Sequence, residues 1–121
     1  MVNSSRRNLG VLGEKIASEY LQKKHYRIIK SNFKCRFGEI DIIAYKNDTY
    51  IFVEVKTRSS LSFGRPIEAI NTTKKNHLLK SGQYYIQISN LKDCNFRFDA
   101  IEIIISSPIS PKVNHIKNII Q

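Results

Sequence analysis

The spacing of apolar residues along the chain distinguishes helices from strands. Between residues 9 and 24, apolar residues recur at spacings of three and four, which is the period of an α-helix. Asn8 precedes this stretch as a suitable N-terminal cap, and Lys23 and Lys24 close it with charges that suit the negative end of a helix dipole. The spacing predicts a second helix over residues 72–88, although a central glycine weakens it.

Short β-prone segments occupy the intervals between these helices. Residues 26–29, 40–45, 50–57 and 96–105 have the composition of strands. The second and third segments are joined by Lys46-Asn47-Asp48-Thr49, and Asn and Asp tolerate the left-handed backbone that a tight hairpin turn needs. The order of elements predicts an α/β domain with a central β-hairpin flanked by helices.

A two-residue turn at Asn47 and Asp48 would also fix the register of the hairpin. Ile43 would then face Phe52, and Asp41 would face Glu54. Because side chains alternate along a strand, the hairpin has two largely apolar faces, and we expect both to be covered. One face carries Asp41, Ile43, Tyr45, Tyr50, Phe52, Glu54 and Lys56, and the other carries Ile40, Ile42, Ala44, Ile51, Val53 and Val55.

Composition narrows the class of protein. With 121 residues, we expect a single domain, with residues 8–105 as its core and residues 106–121 as a C-terminal tail docked on it. The net charge of +10 favours a polyanionic partner, either nucleic acid or an anionic membrane surface. No apolar run approaches the roughly 18 residues of a membrane span. The two cysteines have no metal-ligand spacing, which indicates free thiols in a reducing cytoplasm.

The acidic residues of the hairpin pose an electrostatic problem. Directly opposed residues have Cβ atoms about 5 Å apart, and two carboxylates at that distance repel by about 3 kcal/mol at an effective dielectric constant near 20. Protonation, a basic side chain or a bound cation must therefore stabilise Asp41 and Glu54. Lys56 lies on the same face and can neutralise one charge, while Mg²⁺ would balance the remainder. Glu14, at the margin of the first helix's apolar stripe, would be a third acid.

A structural interpretation of the same residues remains open. Asp41 could be an ordinary acid at a strand end, and Glu54 with Lys56 could form a partly solvated ion pair worth under about 1 kcal/mol. Glu14 could be a solvated helix residue. Taken singly, each residue favours this interpretation. The apolar neighbours of Asp41 and Glu54 favour burial, and burial makes a solvated pair harder to accept.

The motifs resemble those of a known nuclease superfamily. Gly38-Glu39-Ile40-Asp41, followed by Phe52-Val53-Glu54-Val55-Lys56-Thr57-Arg58, resembles the PD-(D/E)xK nuclease core, with Ile40 in place of the superfamily's proline. Over about residues 8–105 the chain resembles the YraN family, small bacterial predicted endonucleases distantly similar to archaeal Holliday junction resolvases. The further motifs that carry this resemblance are Gly13-Glu14, Phe63-Gly64, Lys74 and Arg97-Phe98-Asp99.

The resemblance implies a restriction-endonuclease-like core with a mixed sheet, and a set of roles. Asp41, Glu54 and the main-chain carbonyl of Val55 would hold Mg²⁺, or Mn²⁺ in its place, and Glu14 would help to hold it or a second ion. Lys56 would orient or activate the attacking water. A homodimer is expected by analogy with resolvases. Candidates for phosphate contact are Arg58 and Lys74, and a wider basic track could include Arg6, Arg7, Lys34, Arg36, Arg65, Lys75 and Lys80.

Three functions are compatible with the sequence. The first is a metal-dependent DNA endonuclease, for which branched or damaged structures are candidate substrates. The second is a non-catalytic nucleic-acid-binding module on a nuclease-like fold, for which the basic composition is an equal argument. The third is a small adaptor that binds a protein partner through its second helix and its apolar tail residues, which are Val113, Ile116, Ile119 and Ile120.

Overall fold

The computed structural model describes residues 2–59, 71–106 and 109–120, with side chains from residue 8 onward except that of Ile109. The predicted loop residues Phe63, Gly64 and Arg65 and the side chains of Arg6 and Arg7 lie outside this description. The elements are α1 (Val2–Lys23), β1 (Arg27–Cys35), β2 (Gly38–Lys46), β3 (Thr49–Arg58), α2 (Thr72–Ile88), β4 (Asn95–Ser106) and β5 (Ile109–Ile116).

The strands form one five-stranded mixed sheet in the order β1-β2-β3-β4-β5. Neighbouring strands are antiparallel except β3 and β4, which run parallel and are joined through α2. A parallel pair needs such a crossover because the chain must return to the starting end of the sheet. The predicted α/β fold, with a mixed sheet and a central hairpin flanked by helices, is confirmed.

Each face of the sheet is buried beneath one helix. Ala17 and Leu21 of α1 pack on the face that carries Ile42 and Val53 of the hairpin. Leu78 of α2 packs on the opposite face, in a cluster with Phe33, Ile40, Ile43, Phe52 and Phe98. Burial on both faces explains why the hairpin strands are apolar almost throughout. In the described part of the chain, neither helix is long and apolar enough to cross a membrane.

The structure corrects two details of the sequence interpretation. Asn8 is not an N-terminal cap, because α1 begins at Val2 and the polar stretch after Val2 is already helical. Residues 3–8 are all polar, so no apolar period marks these first turns of the helix. Ile40, expected on the face of Ile42, instead belongs to the cluster beneath α2 with Ile43.

The second helix agrees with the predicted bounds and has a clear start. The side chain of Asn71 accepts a hydrogen bond from the Lys74 N–H at 3.0 Å, which satisfies one of the free donors of the first turn. This cap fixes the position at which α2 begins and therefore where its first basic side chains lie.

The C-terminal tail forms a fifth strand along β4, and a buried acid holds it there. Asp99 of β4 is fully buried, and its Oδ2 lies 2.7 Å from Nε2 of His115 in β5. Its Oδ1 accepts from the Asn118 N–H at 3.1 Å and from Arg97 Nε at 2.9 Å. Burial alone would raise the pKa of Asp99, but these hydrogen bonds outweigh it and hold the pKa below its usual range.

The tail side chains pack on the body of the domain. Val113 contacts the cluster beneath α1, and Ile119 and Ile120 contact the cluster beneath α2. Val113, Ile119 and Ile120, three of the tail residues that suggested an adaptor, therefore pack against their own domain. The adaptor hypothesis loses its basis.

Two helical glycines set how closely the helices approach the sheet. A Cβ at Gly13 of α1 would overlap Oγ1 of Thr57 in β3, and a Cβ at Gly82 of α2 would lie 2.7 Å from a ring carbon of Phe98. A glycine in a helix costs about 0.5–1 kcal/mol relative to alanine, so both positions give up helix stability for close packing. At Gly13 the close approach also brings the next residue, Glu14, to the end of β3.

Gly13→Ala is expected to lower the free energy of unfolding by about 1–3 kcal/mol, because α1 must move away from Thr57. Gly10→Ala is the matched control, since nothing lies within 4 Å of a Cβ there. It should raise the stability by up to about 1 kcal/mol through helix propensity. Urea denaturation followed by circular dichroism measures both variants, and equal effects at the two positions would contradict the close approach.

Candidate active site

The candidate site begins where β2 separates from β3. The predicted hairpin register holds from the Lys46–Thr49 pair to the Ile42–Val53 pair, where the paired register ends. The predicted pairing of Asp41 with Glu54 is wrong, because the Asp41 carboxylate takes the place of a backbone partner. Its Oδ2 accepts a hydrogen bond from the Val55 N–H at 2.7 Å. The side chain thereby opens a gap between the two strands, next to the point at which Ile40 departs from the expected alternation.

A cleft of about 380 Å³ lies over this gap. Four elements from both sides of the sheet contribute to it, and six of the seven residues predicted for the site line it. Arg58 is not among the described residues that line the cleft, and it lies at the end of β3 beside Ile104. The lining residues are Glu14 from α1, Gly38, Glu39 and Asp41 from β2, Glu54, Val55 and Lys56 from β3, and Lys74, His77 and Leu78 from α2.

Asp41 is the most strongly perturbed acid of the cleft. Burial, followed by the charge of Glu54, raises its pKa from 3.8 to about 8, against the opposing hydrogen bond from Val55. The charges of Glu14 and Glu39 raise the pKa further. At neutral pH without a cation, Asp41 is therefore mostly protonated, which is the response expected when carboxylates are crowded in a poorly solvated site.

Glu14 reaches the same cleft from α1, which packs on the face of the sheet opposite to α2. Its pKa is raised by burial and then by the charge of Glu39, while a hydrogen bond from Asn32 opposes the shift. With its amide nitrogen turned towards the two acids, Asn32 donates to Oε1 of Glu14 at 3.0 Å and to Oε1 of Glu39 at 3.2 Å. Asn32 has a φ of 55°, a left-handed conformation that Asn adopts more readily than most residues.

Sequence reasoning missed three residues of this site. Glu39 stands two positions before Asp41, but strand alternation could not place it, because the alternation of β2 breaks between Ile40 and Ile42. His77 follows Lys74 by three positions on α2, which is the spacing of neighbours on one helix face. Asn32 had no signal in the sequence, because its role depends on a bulge of β1 between Ile28 and Lys30.

Two lysines supply the positive charge of the cleft. Lys56 Nζ lies 3.4 Å from Oε1 of Glu54, and these side chains are only 23% and 14% exposed. The pKa of Lys74 is lowered by hydrogen bonding to Lys56, by repulsion from its charge and by burial, while Glu54 and Asp41 act in the opposite direction. Two amines side by side next to the acids form a site at which a phosphate would relieve their repulsion.

The carboxylate oxygens of the cleft can be compared with the ligands that a divalent cation needs. Within the described ranges, no three His, Cys, Asp or Glu side chains are grouped as a complete metal site. Mg²⁺ does not require one, since it commonly binds one or two carboxylates and takes its other ligands from water and phosphate. Asp41 and Glu54 supply two carboxylates, and a cation beside them would remove the repulsion that protonates Asp41.

The backbone of Val55 fits the same cation. A residue in an antiparallel strand directs its N–H and C=O towards the same neighbour. Because the Val55 N–H is bonded to Asp41, its carbonyl oxygen is directed to the gap between β2 and β3. These residues therefore suit a hard, oxygen-liganded ion.

Comparison with known proteins gives one consistent result. A family model described as "Uncharacterised protein family UPF0102" matches residues 13–103. A UPF0102 protein of Caldanaerobacter subterraneus subsp. tengcongensis is 46% identical over 120 residues, covering 98% of each chain. A UPF0102 protein of Geobacter sulfurreducens is 44% identical over 110 residues, covering 91% of this chain and 86% of its own. The matched region includes every residue described above for the cleft.

The raised pKa of Asp41 predicts an unusual pH dependence of stability. In the unfolded chain Asp41 loses its proton near pH 4, whereas in the metal-free fold it keeps the proton up to about pH 8. The stabilisation is complete below pH 4, declines as the pH rises and is lost above pH 8. Asp41→Asn keeps an acceptor for the Val55 N–H without the charge, so it should raise the free energy of unfolding at pH 8 by about 1–3 kcal/mol.

Urea denaturation between pH 4 and pH 9 in EDTA measures this effect. Asp93→Asn, an exposed acid in the loop before β4, is the matched control and should leave the pH profile unchanged. If Asp41→Asn destabilised the metal-free protein at pH 8, the repulsive environment of Asp41 would be refuted.

Proposed function

We propose that this chain, which belongs to the UPF0102 (YraN) family, is a metal-dependent endonuclease that hydrolyses phosphodiester bonds in DNA. The observation that carries the proposal is the convergence of Glu14, Asp41 and Glu54 with Lys56 and Lys74 in one cleft. Acids crowded so closely destabilise the fold, and a cation that completes the site explains why they are there.

The positions of the side chains support a set of roles in this proposal. Asp41, Glu54 and the Val55 carbonyl would hold Mg²⁺ or Mn²⁺, which when bound polarises the phosphate and lowers the pKa of a coordinated water. Lys56, whose ammonium lies beside Glu54, orients the attacking water and stabilises negative charge that develops on the phosphate.

Lys74 and Glu14 act at the two sides of the reacting phosphate. Lys74 binds a phosphate oxygen, whose negative charge offsets the repulsion between Lys74 and Lys56. It lies in the first turn of α2, where N–H groups at the helix start also favour an anion and the turn itself contains no acidic residue. Glu14, held by Asn32, contributes negative charge to the metal side of the cleft.

The alternative is a non-catalytic nucleic-acid-binding module, for which the net charge of +10 is an equally good argument. The two functions differ in their response to metal. A binding module should lose affinity steeply with salt and ignore divalent ions. Metal-dependent DNA binding that disappears in Asp41→Asn would exclude it.

Lys56→Ala should reduce cleavage of DNA by at least about 100-fold in the presence of Mg²⁺ or Mn²⁺, because the attacking water loses its orienting group. Its dissociation constant for the same DNA should change by less than about threefold, since one contact among many is lost. The measurement is a cleavage panel of end-labelled single strand, blunt duplex, fork and four-way junction, with and without EDTA.

Lys112→Ala is the matched control, because Lys112 is an exposed lysine on β5, away from the cleft. It should cleave as the wild type does. Metal-independent cleavage, or equal cleavage by wild type and Lys56→Ala, would contradict the assignment. A protein that binds divalent metal but cuts none of these substrates would favour the binding module.

A further inference from the structure

A second groove, of about 650 Å³, lies on the outer side of α2. Arg36 and Phe37, in the turn between β1 and β2, form one wall of the groove, and α2 forms the other. The residues from α2 are Lys80, Gln83, Tyr84, Gln87 and Ile88.

The groove residues from α2 lie on one face of the C-terminal half of the helix. They follow one another at intervals of three, one, three and one, so they form a single stripe along α2. The buried residues Leu78 and Ser81 lie on the side that packs on the sheet. From residue 72 to residue 88 the helix contains lysines and no acid. None of the described residues that line the groove is acidic, so no carboxylate there neutralises the charges of Arg36 and Lys80.

Aromatic rings and cations alternate in the groove. The ring centroids of Phe37 and Tyr84 are 6.0 Å apart, and the guanidinium carbon of Arg36 lies 4.7 Å from the Phe37 centroid. Both rings are partly exposed, and Arg36 and Lys80 are exposed. One face of Phe37 is covered by the Arg36 guanidinium, and Tyr84 packs partly against the core. Partly exposed rings beside cations are typical of surfaces that stack bases of single-stranded nucleic acid and hold the phosphates between them.

The groove continues directly from the acid cleft. Arg36 and Phe37 immediately precede Gly38, which lines the cleft, and Lys80 lies one helical turn beyond His77, which also lines it. Lys80 is about 9 Å from Lys74 along the helix axis at 1.5 Å per residue. A strand whose phosphate lies at Lys74 would pass His77 and wrap about a third of a turn round α2 to enter the groove.

We propose that this groove binds an unpaired nucleotide of the substrate strand, with its base against Phe37 and Tyr84 and its phosphates near Arg36 and Lys80. The inference rests on the proposed function and specifies its substrate class, which is DNA with a single-stranded segment adjoining the phosphate to be cut. A base inside a duplex hides its faces by stacking and cannot reach Phe37. The amides of Gln83 and Gln87 are available to bond the edge of an exposed base.

Fluorescence anisotropy in EDTA tests the groove without cleavage. Fluorescein-labelled DNA is presented as a 12-nucleotide single strand, as the same strand with abasic sites, and as a blunt 12-base-pair duplex. For the wild type, the intact single strand should bind more tightly than the abasic strand. Phe37→Leu keeps an apolar side chain but removes the stacking face, so it should weaken binding of the intact strand by about 5- to 50-fold and leave the abasic strand unchanged.

A matched Arg–aromatic pair elsewhere provides the control. The guanidinium carbon of Arg27 lies 5.2 Å from the ring centroid of Tyr45, near the opposite end of β2. Tyr45→Leu should not change the affinity for any of the three DNAs. Tyr84→Leu is the second groove variant, and it should reproduce the base-specific loss if Phe37→Leu fails to fold as judged by circular dichroism.

Two results would overturn the inference. One is equal affinity of the wild type for intact and abasic strands, and the other is an equal loss from the groove variants and from Tyr45→Leu. Neither depends on catalysis, because no divalent metal is present. Base-specific binding by a protein that cuts no DNA would retain the groove and remove only the proposed nuclease activity. Cleavage without base-specific binding would retain the proposed nuclease activity and remove the proposed role of the groove.

Discussion

Repulsion between partly buried carboxylates is the interaction on which the arrangement of this molecule depends. Asp41 and Glu54 come together where β2 separates from β3. A third acid, Glu14 of α1, lies close enough for its charge to act on Asp41. The fold holds Asp41 in place through the Val55 N–H, so the acid cannot escape its neighbours by moving. The remaining responses are protonation or capture of positive charge, and both are visible in the raised pKa of Asp41 and in the nearby ammonium of Lys56.

The rest of the structure can be understood as a frame that keeps these groups together. Gly13 allows α1 to approach Thr57, and this close approach delivers Glu14 to the cleft. The Asn71 cap sets the start of α2 and so the position of Lys74. On the far side of β3, Asp99 joins β4 to the C-terminal tail and so completes the sheet beside the site. Since Gly13, Asn71 and Asp99 do not themselves line the cleft, changes at these residues would alter the site without removing a reacting group.

The second helix links the chemistry to recognition of the strand. Its first turn contributes Lys74 to the acid cleft, and its later turns form the wall of the groove with Phe37. A single rigid element therefore sets the distance between the phosphate at the cleft and the base in the groove. The same element lacks acids, which makes its outer face attractive to a polyanion along its whole length.

The sequence by itself determined both helices, the central hairpin and most of the candidate site, but it missed β5 and most of β1. Hydrophobic periods located both helices and the central hairpin, and the ordered motifs brought Asp41, Glu54 and Lys56 together because they are close along two paired strands. The start of α1 was hidden, since residues 3–8 are all polar and show no apolar period. Periodicity reports burial, and it reports nothing about hydrogen bonds between distant residues.

Only the tertiary structure decided what depends on those distant contacts. The separation of β2 from β3 at Asp41, the Asn32 bridge between Glu14 and Glu39, and the proximity of Lys74 to Lys56 all join residues far apart in the chain. Their spacing along the sequence carries no information about these contacts. They arise because two helices close on one sheet from opposite sides, and that geometry exists only in the folded molecule.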